Sequence, residues 1–314
     1  MKNNELNRRT FLAATALAAS SSLISGSSLL ATTGKGRIPY ENTLRDHLWM
    51  WGHNSGQYDG PNNGSHIPLS DPISMPDAIK YMGIPNVCVI WGAQPDKKYR
   101  DQFKDVKRIA WDLSAGSNRS YHYLKDYVFS IMEEMPNLVG VYLDDFFSRK
   151  PATMQKVDGK EIMASTAALT LQEMADLRRR LDALKRPVDL AIVLYADQFG
   201  QLNSGIQPAC EYADVISYWT WFGDNIAKMG ENFKRYRELV PKKRTLHGIY
   251  MWDFGHGRPV ELSAMKHQLD FSLEAYSKGD IDGLIFHCTP LCNKKLEAVE
   301  YARQWIAEYG DTKR

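Results

Sequence analysis

Cysteine is scarce in this chain: there are four in 314 residues, Cys88, Cys210, Cys288 and Cys292, and no two form a CxxC pair. That excludes a disulfide-built scaffold. The four read as unbridged core or loop thiols, although their spacing leaves Cys288 and Cys292 as possible neighbours around one strand end. An excess of one charge is also missing. Lys and Arg number 39 against 37 Asp and Glu, for a net charge of +2, and the basic residues are scattered, so a nucleic-acid partner is not expected. The two densest basic runs, Arg178-Arg179-Arg180 and Lys242-Lys243-Arg244, read as solvated surface. Beyond the first thirty or so residues no stretch reaches the ~18 apolar residues of a membrane span. There is no repeat period, no biased tract and no HExxH or HxH spacing, and with 44% hydrophobic and 24% charged residues the composition is that of a folded globular domain. No resident metal and no cofactor is expected.

The N-terminus has a pattern of its own. Lys2 precedes Asn7-Arg8-Arg9-Thr10-Phe11-Leu12, and an Ala/Ser/Leu stretch follows to about Ala31. This resembles a twin-arginine (Tat) export signal. The alternative is a general secretory signal with a chance Arg pair, and either one exports the protein. No Cys lies near the end of the stretch to carry a lipid anchor. Residues 1–36 are therefore expected to be a signal peptide and residues 37–314 one catalytic domain, periplasmic or secreted. The sequence leaves the oligomeric state open.

From Arg45 onward, short apolar or aromatic runs alternate with amphipathic stretches, the rhythm of successive βα units. Strands are predicted at Leu48–Trp51, Val87–Trp91, Arg108–Asp112, Val139–Asp144, Leu190–Tyr195, Val215–Trp219, Leu246–Trp252 and Gly283–Cys288. Helical spacing lies between and after them: Ala78–Met82, Tyr99–Phe103, Tyr121–Met135, Leu171–Leu184, Ile206–Tyr212, Ile226–Leu239, Val260–Tyr276 and Leu296–Tyr309. Thr170-Leu171-Gln172-Glu173 has the pattern of a capping box. Eight such units in this length predict a single-domain α/β fold, the (β/α)₈ TIM barrel. A doubly wound sheet would normally place a Gly-rich phosphate turn after the first strand, and Trp51-Gly52-His53-Asn54-Ser55-Gly56 lacks that pattern.

Function in such a barrel is built at the C-terminal ends of its strands. Read together, those ends deliver Trp49, Trp51 and His53; Trp91; Trp111 and Asp112; Asp144 and Asp145; Tyr195 and Asp197; Trp219 and Trp221; Trp252 and Asp253; and His287. Seven of the eight tryptophans fall there, the exception being Trp305. Wide apolar rings with one polar N–H suit sugar rings, although some of them are expected to cap the barrel core. In Val139-Gly140-Val141-Tyr142-Leu143-Asp144-Asp145, alternation turns Gly140, Tyr142 and Asp144 toward the barrel interior. Asp145 either reaches back into the pocket or satisfies backbone N–H groups of the turn. Adjacent carboxylates in an aromatic setting raise one pKa, as a general acid requires.

The strand-4 acidic pair, with Trp252-Asp253 expected opposite it on strand 7, resembles (β/α)₈ glycoside hydrolases in general. The resemblance implies a carbohydrate substrate and an acid, Asp144 or Asp145, paired with Asp253. Glycosidases use such pairs in inverting or retaining geometry. The better-known enzymes of that layout carry Glu at both places, whereas every candidate here is Asp. Trp49, Trp51, His53, Trp91, Asp112, Tyr195, Asp197, Trp219, Trp221, Trp252 and His287 are the expected substrate contacts, with His247 and His256 as secondary candidates. Two alternatives stay open. One is a metal-dependent sugar isomerase- or lyase-like barrel drawing on His53, Asp112, Asp253 and His287, and the other is a sugar-binding barrel without catalysis. The polar stretch from Ser148 to Thr170 reads as a partial lid or a surface excursion.

Overall fold

The computed structural model describes residues 38–59, 66–90, 93–199, 205–240 and 243–314. The expected signal peptide and Trp91 lie outside the described residues. Eight parallel strands close into a barrel: β1 (Leu48–Gly52), β2 (Asn86–Val89), β3 (Arg108–Asp112), β4 (Leu138–Leu143), β7 (Asp189–Tyr195), β8 (Val215–Trp219), β9 (Arg244–Tyr250) and β12 (Gly283–His287). The ring closes through β1, which pairs with both β2 and β12. Two hairpins stand outside it, β5 (Thr153–Val157) with β6 (Lys160–Ala164), and β10 (Trp252–Asp253) with β11 (Arg258–Pro259). Eight α-helices are described: α1 (Met75–Met82), α2 (Lys97–Arg100), α3 (Asn118–Ile131), α4 (Leu171–Asp182), α5 (Gln207–Tyr212), α6 (Met229–Leu239), α7 (Leu262–Lys278) and α8 (Glu297–Tyr309). Among the described residues no helix is long and apolar enough to cross a membrane.

The barrel strands are apolar almost without interruption because helices cover them on one side and the barrel interior on the other. Every residue of β1, β3, β8 and β12 is buried. Alternation then sorts the large rings. Trp51 and Trp219 meet edge-on at 5.3 Å inside the barrel, and Tyr142 lies 5.3 Å from Trp51. Tyr218 and Trp111 point the other way, against Tyr236 of α6 and Tyr127 of α3. Gly248 of β9 is what admits the Trp219 indole, since a Cβ at that position would fall inside the ring. The capping box of α4 forms as read, with Thr170 accepting from the Glu173 backbone and Glu173 accepting from Thr170, a motif whose cap contributes about 1 kcal/mol. The N-terminal rim is closed by a different device. Arg108, fully buried, donates to Asp46 at 2.9 and 3.0 Å and stacks over Tyr40.

Two expectations shift. The seventh barrel strand ends at Tyr250 rather than Trp252. The Gln268 side chain of α7 takes up both the N–H and the carbonyl of Tyr250, each at 3.2 Å, and the chain turns away to form the β10–β11 hairpin. The stretch from Ser148 to Thr170 is ordered by the β5–β6 hairpin, which leans on α4 and α5. Gln155 accepts from the Leu171 N–H and Gln172 accepts from the Asp158 N–H. All four cysteines are buried free thiols.

Candidate active site

The mouth is organised from β3 and β4. Asp112, fully buried at the end of β3, accepts from the backbone N–H groups of Ser114 (3.1 Å), Ala115 (2.7 Å) and Asp144 (3.2 Å). The Ser114 hydroxyl donates to the Asp144 carbonyl at 3.1 Å. Asp112 thus ties two βα loops together, and burial pushes its carboxyl up to about 6, against those hydrogen bonds. The fastened loops are strained where they touch. Asp145 has φ +43° and Gly116 φ +71°, and a Cβ on Gly116 would lie 3.2 Å from that of Asp145. A non-glycine residue in the left-handed region costs energy that the surrounding structure has to supply, and such residues cluster at functional sites.

Asp144 faces the mouth and is half-buried, while Asp145 is exposed at its edge. Among the described residues no ion pair reaches either carboxyl. Loss of water, the charge of Asp145 and the charge of Asp112 all hold Asp144 well above the usual carboxylate range, against a single opposing bond from the Asp145 N–H. Asp145 accepts from the Tyr195 hydroxyl at 2.8 Å. Tyr195 packs edge-on against Trp221 at 5.9 Å, and Trp221 against Tyr250 at 5.6 Å. Phe254 continues this wall beside Tyr250 (5.8 Å), His287 (4.6 Å) and Tyr58 (5.7 Å). The phenols of Tyr195 and Tyr250 are pushed up by burial and by the two Asp charges, so both are neutral donors at working pH.

At the floor, the Trp51 indole donates to His53 Nε2 (3.1 Å), and His53 Nδ1 pairs with the Tyr58 hydroxyl (2.9 Å). Burial holds His53 down to about 4 and His287 well below its ordinary value. Both imidazoles are therefore neutral.

Asp253 has a network of its own. It is buried in the β10–β11 hairpin, where its carboxylate accepts from the N–H groups of Gly223 (3.3 Å) and His256 (3.2 Å), from His256 Nδ1 (2.8 Å) and from Arg258 Nε (3.3 Å). Burial works against its charge, but these partners outweigh it and hold the carboxyl below the usual range. It borders an open cavity of about 450 Å³ between the Gly223–Lys228 turn and the start of α7. Asp197 is likewise occupied, by Arg149 at 2.6 Å. The mouth thus gathers His53, Asp144, Asp145, Tyr195, Trp221 and His287 from the sequence-expected set, with Trp51, Asp112 and Trp219 buried among the residues that support it. Trp49 is buried in β1 and Trp252 in the β10–β11 hairpin, and Asp253 and Asp197 have their charges taken up by other groups. His247, on the outer face of β9, pairs with Ser272.

Tyr58, Tyr250 and Phe254 were not among the residues expected from sequence. Tyr250 shares the inward parity of Gly248 on the same strand, and ending that strand at Tyr250 would have found it. Tyr58 sits in a loop, where no periodicity marks it.

No family model and no curated protein sequence matches this chain. Solved structures match its fold. A candidate α-L-fucosidase from Bacteroides thetaiotaomicron VPI-5482 aligns at TM-score 0.53 and 11% identity, covering 88% of this chain and 98% of the other. A GH99 endo-α-mannosidase from Bacteroides thetaiotaomicron aligns at TM-score 0.50 and 8% identity, covering 85% and 98%. At such identities the likeness is one of fold: this chain, like both of those proteins, is a TIM barrel.

Proposed function

We propose that this protein is an exported glycoside hydrolase in which Asp144 is the general acid and Asp145 the companion carboxylate. The observation that carries the reading is the contrast between the two side chains at the end of β4. Asp144 is half-buried beside like charge, and loss of water together with the charges of Asp145 and Asp112 holds its carboxyl well above the usual carboxylate range, whereas Asp145 is exposed and bonded to the Tyr195 hydroxyl. A carboxyl whose pKa is raised keeps its proton to higher pH and can give it to a departing glycosidic oxygen. Asp145, oriented by Tyr195, then activates water or stabilises the positive charge that develops at the sugar ring. Asp112 acts as a positioning residue, because it grips the Asp144 backbone and not a substrate. The wall of Tyr195, Trp221, Tyr250 and Phe254 offers the flat apolar faces and hydroxyl donors that a sugar ring requires.

Asp253 is left out of the acid–base pair here because its carboxylate already accepts four hydrogen bonds. The glycosidase neighbours are consistent with the proposal without carrying it, and the twin-arginine-like leader fits a substrate outside the cytoplasm. The test is a screen of the mature protein against a panel of glycans and aryl glycosides, with product anomers followed by NMR. Release of a reducing sugar by the wild type, lost in Asp144→Asn, is the expected result. Binding without turnover across the panel would leave a sugar-binding barrel instead.

A further inference from the structure

The acid–base chemistry above makes no use of a cluster at the floor of the mouth. His53, His287 and Cys288 come from the ends of β1 and β12 and each offers one donor atom, all within 4.8 Å of one another. Cys288 is fully buried and His287 nearly so, and His287 Nδ1 has no hydrogen-bond partner in the structure. Tyr58 joins the group, with its hydroxyl 2.9 Å from His53 Nδ1 and hydrogen-bonded to the Cys288 thiol. A buried polar nitrogen left unpaired costs about 1–3 kcal/mol, so His287 Nδ1 is a donor atom at the floor with a partner still to gain.

We propose that His53, His287 and Cys288 form a three-ligand site for zinc or a similar thiophilic divalent metal, with the fourth position beside the Tyr58 hydroxyl. Two imidazoles and a thiolate are a donor set that suits zinc. At zinc bond lengths of about 2.0–2.1 Å to nitrogen and 2.3 Å to sulfur, tetrahedral donors stand about 3.3–3.6 Å apart, so donors now within 4.8 Å of one another close by at most about 1.5 Å on loading. The protons balance simply. The metal displaces the Cys288 thiol proton, which leaves to solvent, and both imidazoles bind as the neutral bases they already are. His53 is the residue that must adjust. Its Nε2 now accepts from the Trp51 indole, so its proton sits on Nδ1 toward Tyr58. Coordination through Nδ1 moves that proton to Nε2 and releases the indole, which makes Trp51 a reporter of loading. This inference does not depend on the glycosidase reading, since it concerns a different set of side chains and its test measures no turnover.

The test titrates the purified, reduced mature protein with Co²⁺ alone and then with competing Zn²⁺. The expected result is a thiolate-to-cobalt charge-transfer band with tetrahedral ligand-field bands, saturating at one equivalent, abolished by zinc and accompanied by a change in tryptophan fluorescence. Cys288→Ser should lose the charge-transfer band, while Cys292→Ser, whose thiol lies outside the cluster, should keep it. Zinc-edge X-ray absorption on the loaded wild type needs no variant to fold, and one sulfur with nitrogen and oxygen neighbours is expected. No band in the wild type, a band that survives Cys288→Ser or disappears in Cys292→Ser, or a zinc shell without sulfur would each overturn the proposal.

Discussion

The ends of β4 and β9 look alike on paper and differ in the folded molecule. Each brings an Asp beside aromatic residues at the rim of one barrel. Asp144 sits among like charges and its carboxyl is pushed well above the usual range, whereas Asp253 is wrapped by Arg258, His256 and two backbone N–H groups and its carboxyl is held below that range. Burial opposes charge at both places, so burial does not decide. What decides is the company: a carboxyl in a low-dielectric site keeps its proton unless cations and donors outweigh the loss of water. A general acid is made by withholding such partners, and a structural anchor is made by supplying them.

The largest expected effect that would break this comparison is kinetic. Asp144→Asn should lower kcat/KM about 10²- to 10⁴-fold, the usual worth of general acid catalysis, while Asp253→Asn should cost less than tenfold. Steady-state kinetics on the substrate found by the glycan screen measure both, and an Asp253 effect as large as that of Asp144 would restore the cross-barrel pair. Stability should show the reverse order. Asp253→Ala strands the Gly223 and His256 N–H groups and should cost about 2 kcal/mol, read as a shifted midpoint in denaturant unfolding.

The pH dependence sharpens the contrast by its sign. The folded pKa of Asp144 lies above its unfolded value, so the stability it lends is full below the unfolded carboxylate range and is lost as pH rises toward the folded pKa. Asp144→Asn should therefore gain stability over wild type with rising pH, and activity that depends on the Asp144 proton should fall on the alkaline side. Asp253 has its pKa lowered, so its contribution is present above the unfolded value and lost as pH falls through the folded one. The gap between wild type and Asp253→Ala should accordingly close in acid. Thermal melts across pH give both slopes. The smallest effect is expected for Tyr195→Phe, which removes one hydroxyl donor from Asp145. About 1 kcal/mol, or roughly fivefold in kcat, is the scale of one such bond, with KM little changed.

Much of this molecule could be read before folding. The eight-unit rhythm placed all eight barrel strands, and the inward parity of Tyr142 and Asp144 followed from alternation alone. Those are consequences of local chain geometry, which fixes which face a side chain takes. The end of β9 was misplaced by two residues because its terminator is Gln268, a side chain from the next helix, and Trp252 prolongs the apolar run past the true end. Tyr58 and Cys288 enter the mouth only because closure of the barrel sets the ends of β1 and β12 side by side.

By itself, then, the sequence determined the periodicity, hence the barrel, and that β4 would present an Asp to its interior. The tertiary structure decided which carboxyl has its pKa raised, Asp144, and which has it lowered, Asp253. Electrostatic environment is set by partners tens of residues away, such as Tyr195 for Asp145, or by whether a hairpin folds an Arg back, as Arg258 does onto Asp253, and no local pattern encodes those distances.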